Sequence, residues 1–466
     1  VVVIARHGDR TSFYQNPVSY AASDTVLTPL GEQQNFRLGQ ILNSIYAANE
    51  SDRKIEGLSA TEMVGSQINS TADAGGEGSV IWDSAVSLWQ GFYPPRLDIS
   101  NMTLANGSTI TSPLGGYQYV KVETLLPEYD VDFESWTNCE IWTERNAKVY
   151  KTNEWLAKAQ AEEPFFATLR SSGIVGNRTV SLDNIYNVFD FVNVNSIHNS
   201  TFNDAVNALG NGTLPHLRDL ASYHEAALFT APNLDGLGNI AALTLLPRIF
   251  GSLREMTKSD NEVLVTHYHL AYKPFLSLFN MTNLAAAQNP SFPNYDKMVD
   301  YASMAVYEIR DGGSGPSGYD VRFGFRNGSE TSTDVTYYPL FGTDSLDIDL
   351  ETFASNVNES ALLPSNEAWC HYCNNNGSVP VCYDIALADQ YEDLAAKYKE
   401  ISDGHFTSVG SGFIGACVTI VVMLAALGLF RALGWIQFGK RKTTPTDRYP
   451  LNEQHSFKGS INSSRA

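Results

Sequence analysis

Val1-Val2-Val3-Ile4-Ala5-Arg6-His7-Gly8-Asp9-Arg10 is the stretch on which the fold turns. Its first five residues form an unbroken apolar, mainly β-branched run, the pattern of a strand covered on both faces in a parallel α/β sheet. That run stops at two guanidiniums around one imidazole. Ligands of open α/β sheets sit beyond the carboxyl ends of strands, so chemistry is expected at residues 6–10. Each Arg offers a planar fork of donors suited to phosphate oxygens, and a His between them can attack phosphorus. Gly8 lets backbone approach closely. Arg6 and Arg10 are therefore candidate phosphate-binding residues, and His7 is the candidate nucleophile.

Downstream, Thr28 can cap a helix with Pro29 at its first position, and Leu38, Ile41, Leu42 and Ile45 recur at helical spacing. Residues 75–116 are rich in Gly, Pro, Ser and Asn around one apolar segment near Val80 to Phe92. From about Glu134 to Thr230 the pattern is mostly helical. Strand signals return at Val263–Thr266, Ser303–Ile309 and Tyr319–Phe325, and Asp384–Ile401 carries a helical apolar stripe. No internal repeat is present. The expected fold class is α/β: a mostly parallel sheet flanked by helices, with residues 1–120 and 231–402 as the core and 121–230 as a helical insertion.

Charge divides the chain unevenly. It has 466 residues with 31 basic and 51 acidic side chains, net −20; residues 431–466 hold seven basic against two acidic, leaving −25 on the body and +5 on the tail. Between them, Gly412–Phe430 is nineteen residues without a charge, roughly 28 Å as a helix. One C-terminal transmembrane helix is expected at 412–430, after a juxtamembrane linker at 403–411 and before a disordered cytoplasmic tail at 431–466. Arg431 and Lys440-Arg441-Lys442 then place the N-terminal body on the extracellular or lumenal side, as a single-pass membrane protein. The chain opens without Met on an apolar strand, and since a translocated body needs a leader, a start that is either processed or truncated is expected.

Glycosylation acceptors agree with that side. Asn-x-Ser/Thr occurs at Asn49, Asn69, Asn101, Asn106, Asn177, Asn199, Asn211, Asn280, Asn327, Asn358 and Asn376. Four cysteines outside the apolar run, Cys139, Cys370, Cys373 and Cys382, allow two disulfides in three connectivities. Cys370-His371-Tyr372-Cys373 has no second ligand pair, so neither a metal nor a cofactor is expected. The acidic body argues against nucleic acid as a partner.

Beyond Arg6-His7-Gly8-x-Arg10, several segments resemble the histidine acid phosphatase group of the histidine phosphatase superfamily, which has a phosphoglycerate mutase-like fold and phytase relatives. Leu27-Thr28-Pro29-Leu30-Gly31-Glu32-Gln33 is similar to the group's helix start. Ser84-Ala85 followed by Gln90-Gly91-Phe92-Tyr93-Pro94-Pro95 resembles its second phosphate-side segment, and Ala302-Ser303, Tyr307-Glu308 and Val321-Arg322 to Asn327-Gly328 resemble later strands. The resemblance implies hydrolysis of small phosphomonoesters through a phosphohistidine on His7, with Arg6 and Arg10 on the phosphoryl oxygens.

The chain also departs from the group's pattern. Ser12 stands where Pro is usual, and Val80 stands where a further phosphate-binding Arg is expected. The group's His-Asp pair falls on Thr266-His267-Tyr268-His269, where one register puts Tyr268 over the Asp and another puts His269 there. His267 and His269 are accordingly candidates for a surrogate general acid, an imidazolium donating to the leaving oxygen. Two further functions stay open: a pseudophosphatase that binds phosphorylated ligands or a protein partner without turnover, and a surface glycoprotein with a structural role.

Overall fold

The computed structural model describes residues 1–433 except 17, 22, 74, 76–78, 285–296, 314, 330–333, 376, 378 and 404–407. Residues Val1–Ala388 form one compact unit and Asp389–Ala466 a second. At the centre of the first is a seven-stranded sheet. Its strands are β1 (Val2–Arg6), β2 (Ile68–Ala72), β5 (Val265–Leu270), β6 (Met304–Asp311), β7 (Tyr319–Arg326), β8 (Thr336–Tyr337) and β9 (Asp347–Asp349). An exposed hairpin of β3 (Asn101–Thr103) and β4 (Thr109–Thr111) stands apart from it.

The order is β2-β5-β1-β6-β7-β8, with β9 also on β7. β2, β5 and β1 are parallel, whereas β6, β7, β8 and β9 all join antiparallel. The sheet is therefore mixed, and the expectation of a mostly parallel one is corrected. An apolar run such as β1 reports burial on both faces, not the direction of its neighbours. The direct β6–β7 return needs only a short turn, while each parallel step needs a long crossover.

α1 (Pro29–Tyr46) begins as the sequence predicts: the Thr28 hydroxyl accepts from Gly31 N–H, and Pro29 occupies the first turn. It buries Leu38, Ile41, Leu42 and Ile45 against Val1, Val3 and Ala5 of the sheet, together with Leu88, Trp89 and Phe92 of α2 (Val80–Phe92). Val2 and Ile4 point to the opposite core, under helix Ile240–Met256. The stretch read as an insertion contains helices Glu140–Val149, Asn153–Ser171, Ile185–His198, Ser200–Ala208 and Thr213–Phe229. Several of these close around a core of their own that includes Trp155, Phe166, Leu169, Val188, Val192 and Leu217.

Cys139 is joined to Cys373 and Cys370 to Cys382, with Cα separations of 5.0 and 5.7 Å, which selects one of the three connectivities. Asn280 is the poorest of the glycosylation acceptors: it is half-buried, and its side-chain amide donates to Ala231 O and Asn239 Oδ1. Asn376 lies outside the described residues. The other nine acceptors are exposed.

The C-terminal expectations change. Helices Pro380–Asp403 and Ser408–Ala432 take up both ends of the expected 403–411 linker. Among the described residues, no helix is long and apolar enough to cross a membrane. This overturns the span expected at 412–430 and the single-pass placement built on it. Residues 434–466, most of the expected tail, lie outside the described residues.

Candidate active site

The carboxyl ends of β1, β5 and β2 converge on residues 6–10. His7 N–H donates to Leu270 O and Arg6 N–H to Ser303 O, so the loop leaving β1 is pinned from both neighbouring strands. Gly8 N–H donates to Ser84 Oγ on α2. A Cβ on Gly8 would lie 2.4 Å from Gly31 O, which is why only glycine fits there. Asp9 is fully buried; its carboxylate accepts from Thr28 Oγ1 and lies 2.6 Å from His198 Nε2.

His7 is inaccessible to solvent, and its Nδ1 lies 2.8 Å from Gly8 O. A carbonyl can only accept, so Nδ1 carries the proton and the neutral ring presents its lone pair on Nε2. Arg6 donates to Val299 O and lies 4.5 Å from the Tyr301 ring, which in turn sits 5.6 Å from the His7 ring. Arg10 is 1% exposed and paired with Asp190 at 3.0 Å. All three motif residues are thus brought together, in a closed site. Among the described residues, a cavity of about 40 Å³ beside Arg6 is lined by Tyr186, Phe189, Asp190, Asn193, Arg218 and Met298–Tyr301. Ala302, which ends that strap, holds a left-handed backbone (φ 52°) while its N–H donates to His7 O.

His269 pairs in register with Ala5 and therefore shares the sheet face that leads into His7. His267 lies two residues deeper on the same face. Burial lowers the His267 imidazole to about 3. The His269 ring is held well below its usual range by burial and then by the neighbouring His267 and His7 rings. Both are neutral in mildly acidic solution, so the imidazolium donor expected from sequence has no support in this environment. With His269 beside His7, the next residue is Leu270, an apolar side chain with no exposure.

Val80 is likewise buried and apolar at the start of α2. The basic residues nearest to Val80 in sequence are engaged elsewhere: Arg53 with Asp334 and Tyr337, Arg96 with Asp98, and Lys54 with Asn49. Arg218 lies by the Arg6 cavity instead, donating to Met298 O and paired with Asp300.

Sequence reasoning missed Asp190, His198, Arg218, Tyr301 and Asp73, all distant in sequence from the motif and without a spacing signal. Asp73 follows β2, and its N–H donates to His269 O. It is 2% exposed, and burial followed by the Glu134 and Asp130 charges holds its carboxyl well above the usual range. That environment favours the protonated form of the carboxyl at the strand-end side of the sheet.

No family model matches the chain, and no curated protein matches it. Solved structures do. The phytase of Citrobacter braakii is 12% identical, over 78% of this chain and 97% of that one, at TM-score 0.51. The Klebsiella sp. ASR1 phytase is 13% identical over 77% and 94%, also at 0.51. Hafnia alvei phytase in complex with tartrate is 11% identical over 78% and 98%, at 0.50. At such identities the likeness concerns the fold: the chain has the fold of the phytases, and so of the histidine acid phosphatase group that its motifs resemble.

Proposed function

We propose that the chain is a divergent phosphomonoesterase of the histidine acid phosphatase type. The observation that carries this is the His7 ring, fixed through Nδ1 on Gly8 O with Nε2 left as the nucleophilic nitrogen, between Arg6 and Arg10 at the end of β1. Nε2 attacks phosphorus, the P–O ester bond breaks with its electron pair leaving on the ester oxygen, which takes its proton from water, and a phosphohistidine forms. Water then attacks phosphorus, the P–N bond breaks with its pair returning to Nε2, the proton from that water goes to solvent, and orthophosphate leaves. Arg6 and Arg10 spread the phosphoryl charge, and His269 donates to one of its oxygens. Residues 121–230 act as the inserted lid that supplies Asp190, His198 and Arg218.

A second reading, a pseudophosphatase that binds phosphorylated ligands or a protein, is favoured by Val80, by Leu270 and by Asp190, which already occupies Arg10. One assay separates the two. The purified protein, with His7→Ala beside it, is given a chromogenic phosphomonoester from pH 3 to 7. Turnover lost in the variant supports the enzyme. No turnover, with phosphate raising the melting temperature, supports binding alone.

A further inference from the structure

The two histidines of β5 belong to a longer buried chain of hydrogen bonds whose direction can be worked out. Trp89 Nε1–H donates to Ser70 Oγ at 2.9 Å, and the same oxygen lies 2.9 Å from His267 Nδ1. His267 Nε2 lies 3.2 Å from His269 Nδ1. Ser70, Trp89, His267 and His269 are at most 3% exposed, so water does not complete their bonding. Trp89 also packs edge-on against His267 at 5.4 Å, which fixes that ring's plane.

One direction satisfies Trp89, Ser70 and His267 together. An indole nitrogen only donates, so Ser70 Oγ accepts from Trp89 and has its own proton left to give. If it gives that proton to His267 Nδ1, then neutral His267 carries its hydrogen on Nε2 and donates to His269 Nδ1. His269, also neutral, then carries its hydrogen on Nε2. The opposite direction would have both rings donate toward Ser70, leaving the Ser70 hydroxyl hydrogen buried with no acceptor among the described residues. The Arg6 carbonyl, which can only accept, also acts on the His269 ring in the sense of an N–H donor.

We infer that Ser70, backed by Trp89, is a positioning residue: through His267 it locks His269 as a neutral ring with its proton on Nε2, offered on the His7 side of the sheet. His269 Nε2 is buried, and among the described residues the ring's only remaining partner is a weak contact to the Arg6 carbonyl. The donor can leave that contact for an oxygen that arrives with a ligand. Under the phosphatase reading, on which this last step rests, that oxygen belongs to the phosphoryl group. A donor fixed in this way cannot reverse to accept, so it selects oxyanions over ligands that present N–H groups.

The test reads the protons directly and does not need turnover. Full-length protein carrying ¹⁵N-histidine is examined by two-bond ¹H–¹⁵N correlation at neutral pH, with His267→Gln and His269→Gln for assignment. Both rings are expected to be neutral, protonated on Nε2 and accepting on Nδ1. Ser70→Ala should bring a second tautomer into both rings, and Ser70→Thr, which restores a hydroxyl, should return the single one. A proton on Nδ1 of either ring in the wild type, or Ser70→Ala leaving both rings unchanged while the protein stays folded, would overturn the inference. Inorganic phosphate supplies the second arm. Its addition should shift His269 Nε2–H, and Ser70→Ala should raise KM for an aryl phosphate about tenfold with little change in kcat. If the tautomers are as stated but phosphate moves nothing, the phosphatase reading fails while the locked pair stands.

Discussion

At the residue scale, burial decides what each titratable group can do. His267 and His269 are neutral because the closed sheet face withholds water from their charged forms. In the unfolded chain both bind protons below about pH 6.5, whereas folded His267 resists until about 3. The folded state therefore loses stability as pH falls through that window. At about 1.4 kcal/mol per pH unit for one such group, urea unfolding of His267→Gln should lose roughly 2–3 kcal/mol less than wild type between pH 7 and 4.5. Asp73 works in the opposite sense. Its folded value is raised, so the wild type loses stability as pH rises above the unfolded carboxyl value near 4. Asp73→Asn should show a melting-temperature advantage that grows with pH and vanishes below about pH 4. An advantage independent of pH would mean that the carboxyl is ionised in the fold.

At the element scale, α1 and α2 are held together by reciprocal glycines. A Cβ on Gly39 would lie 1.8 Å from Leu88 O, and one on Gly91 would lie 1.8 Å from Phe36 O. In both cases backbone is the obstacle, and it cannot rotate aside. Gly39→Ala and Gly91→Ala should each cost about 1–3 kcal/mol or more in denaturant unfolding. Because α1 carries Gly31 against Gly8 and α2 carries Ser84 beneath it, surviving phosphatase activity should fall with them. Helix Ile185–His198 contributes differently, by placing Asp190 on Arg10 and His198 on Asp9. Asp190→Asn removes the buried carboxylate paired with Arg10 and should lower the melting temperature. Phosphate, free to take the vacated place, should raise the variant's melting temperature more than the wild type's. An equal or smaller rise would show that Asp190 does not compete with the ligand.

For the molecule as a whole, chemistry and closure are distributed over distant segments. The sheet brings β1, β5 and β2 together from residues 2, 265 and 68 onward, and the Cys139–Cys373 disulfide closes a loop of 234 residues that contains β5. Loop-closure entropy predicts about 5 kcal/mol for that bond against about 3 for Cys370–Cys382, whose loop is 12 residues. Replacing Cys139 and Cys373 by Ser should therefore lower the unfolding midpoint more than replacing Cys370 and Cys382. Leu270, an apolar side chain, follows His269 in β5 where the group's pattern has an acid, and this has a consequence for the reaction proposed above. An aryl phosphate, whose leaving oxygen needs no proton, should be turned over at least a hundredfold faster than an alkyl phosphate. Comparable rates would require an acid at the site.

Local physics in the sequence determined β1, the capped start of α1, the phosphate-type motif at Arg6, His7 and Arg10, and the helical character of residues 134–230. Each is written in neighbouring residues, as an apolar run, a Thr-Pro pair or a periodicity. The direction of the sheet strands, the pairing of the four cysteines and the choice of His269 as the ring beside His7 were settled only in three dimensions. So were Asp190 on Arg10 and Ser70 under His267, 180 and 197 residues from their partners. The physical reason is that these depend on which buried donor meets which acceptor across the sheet and on how much water reaches them. A linear pattern carries neither quantity.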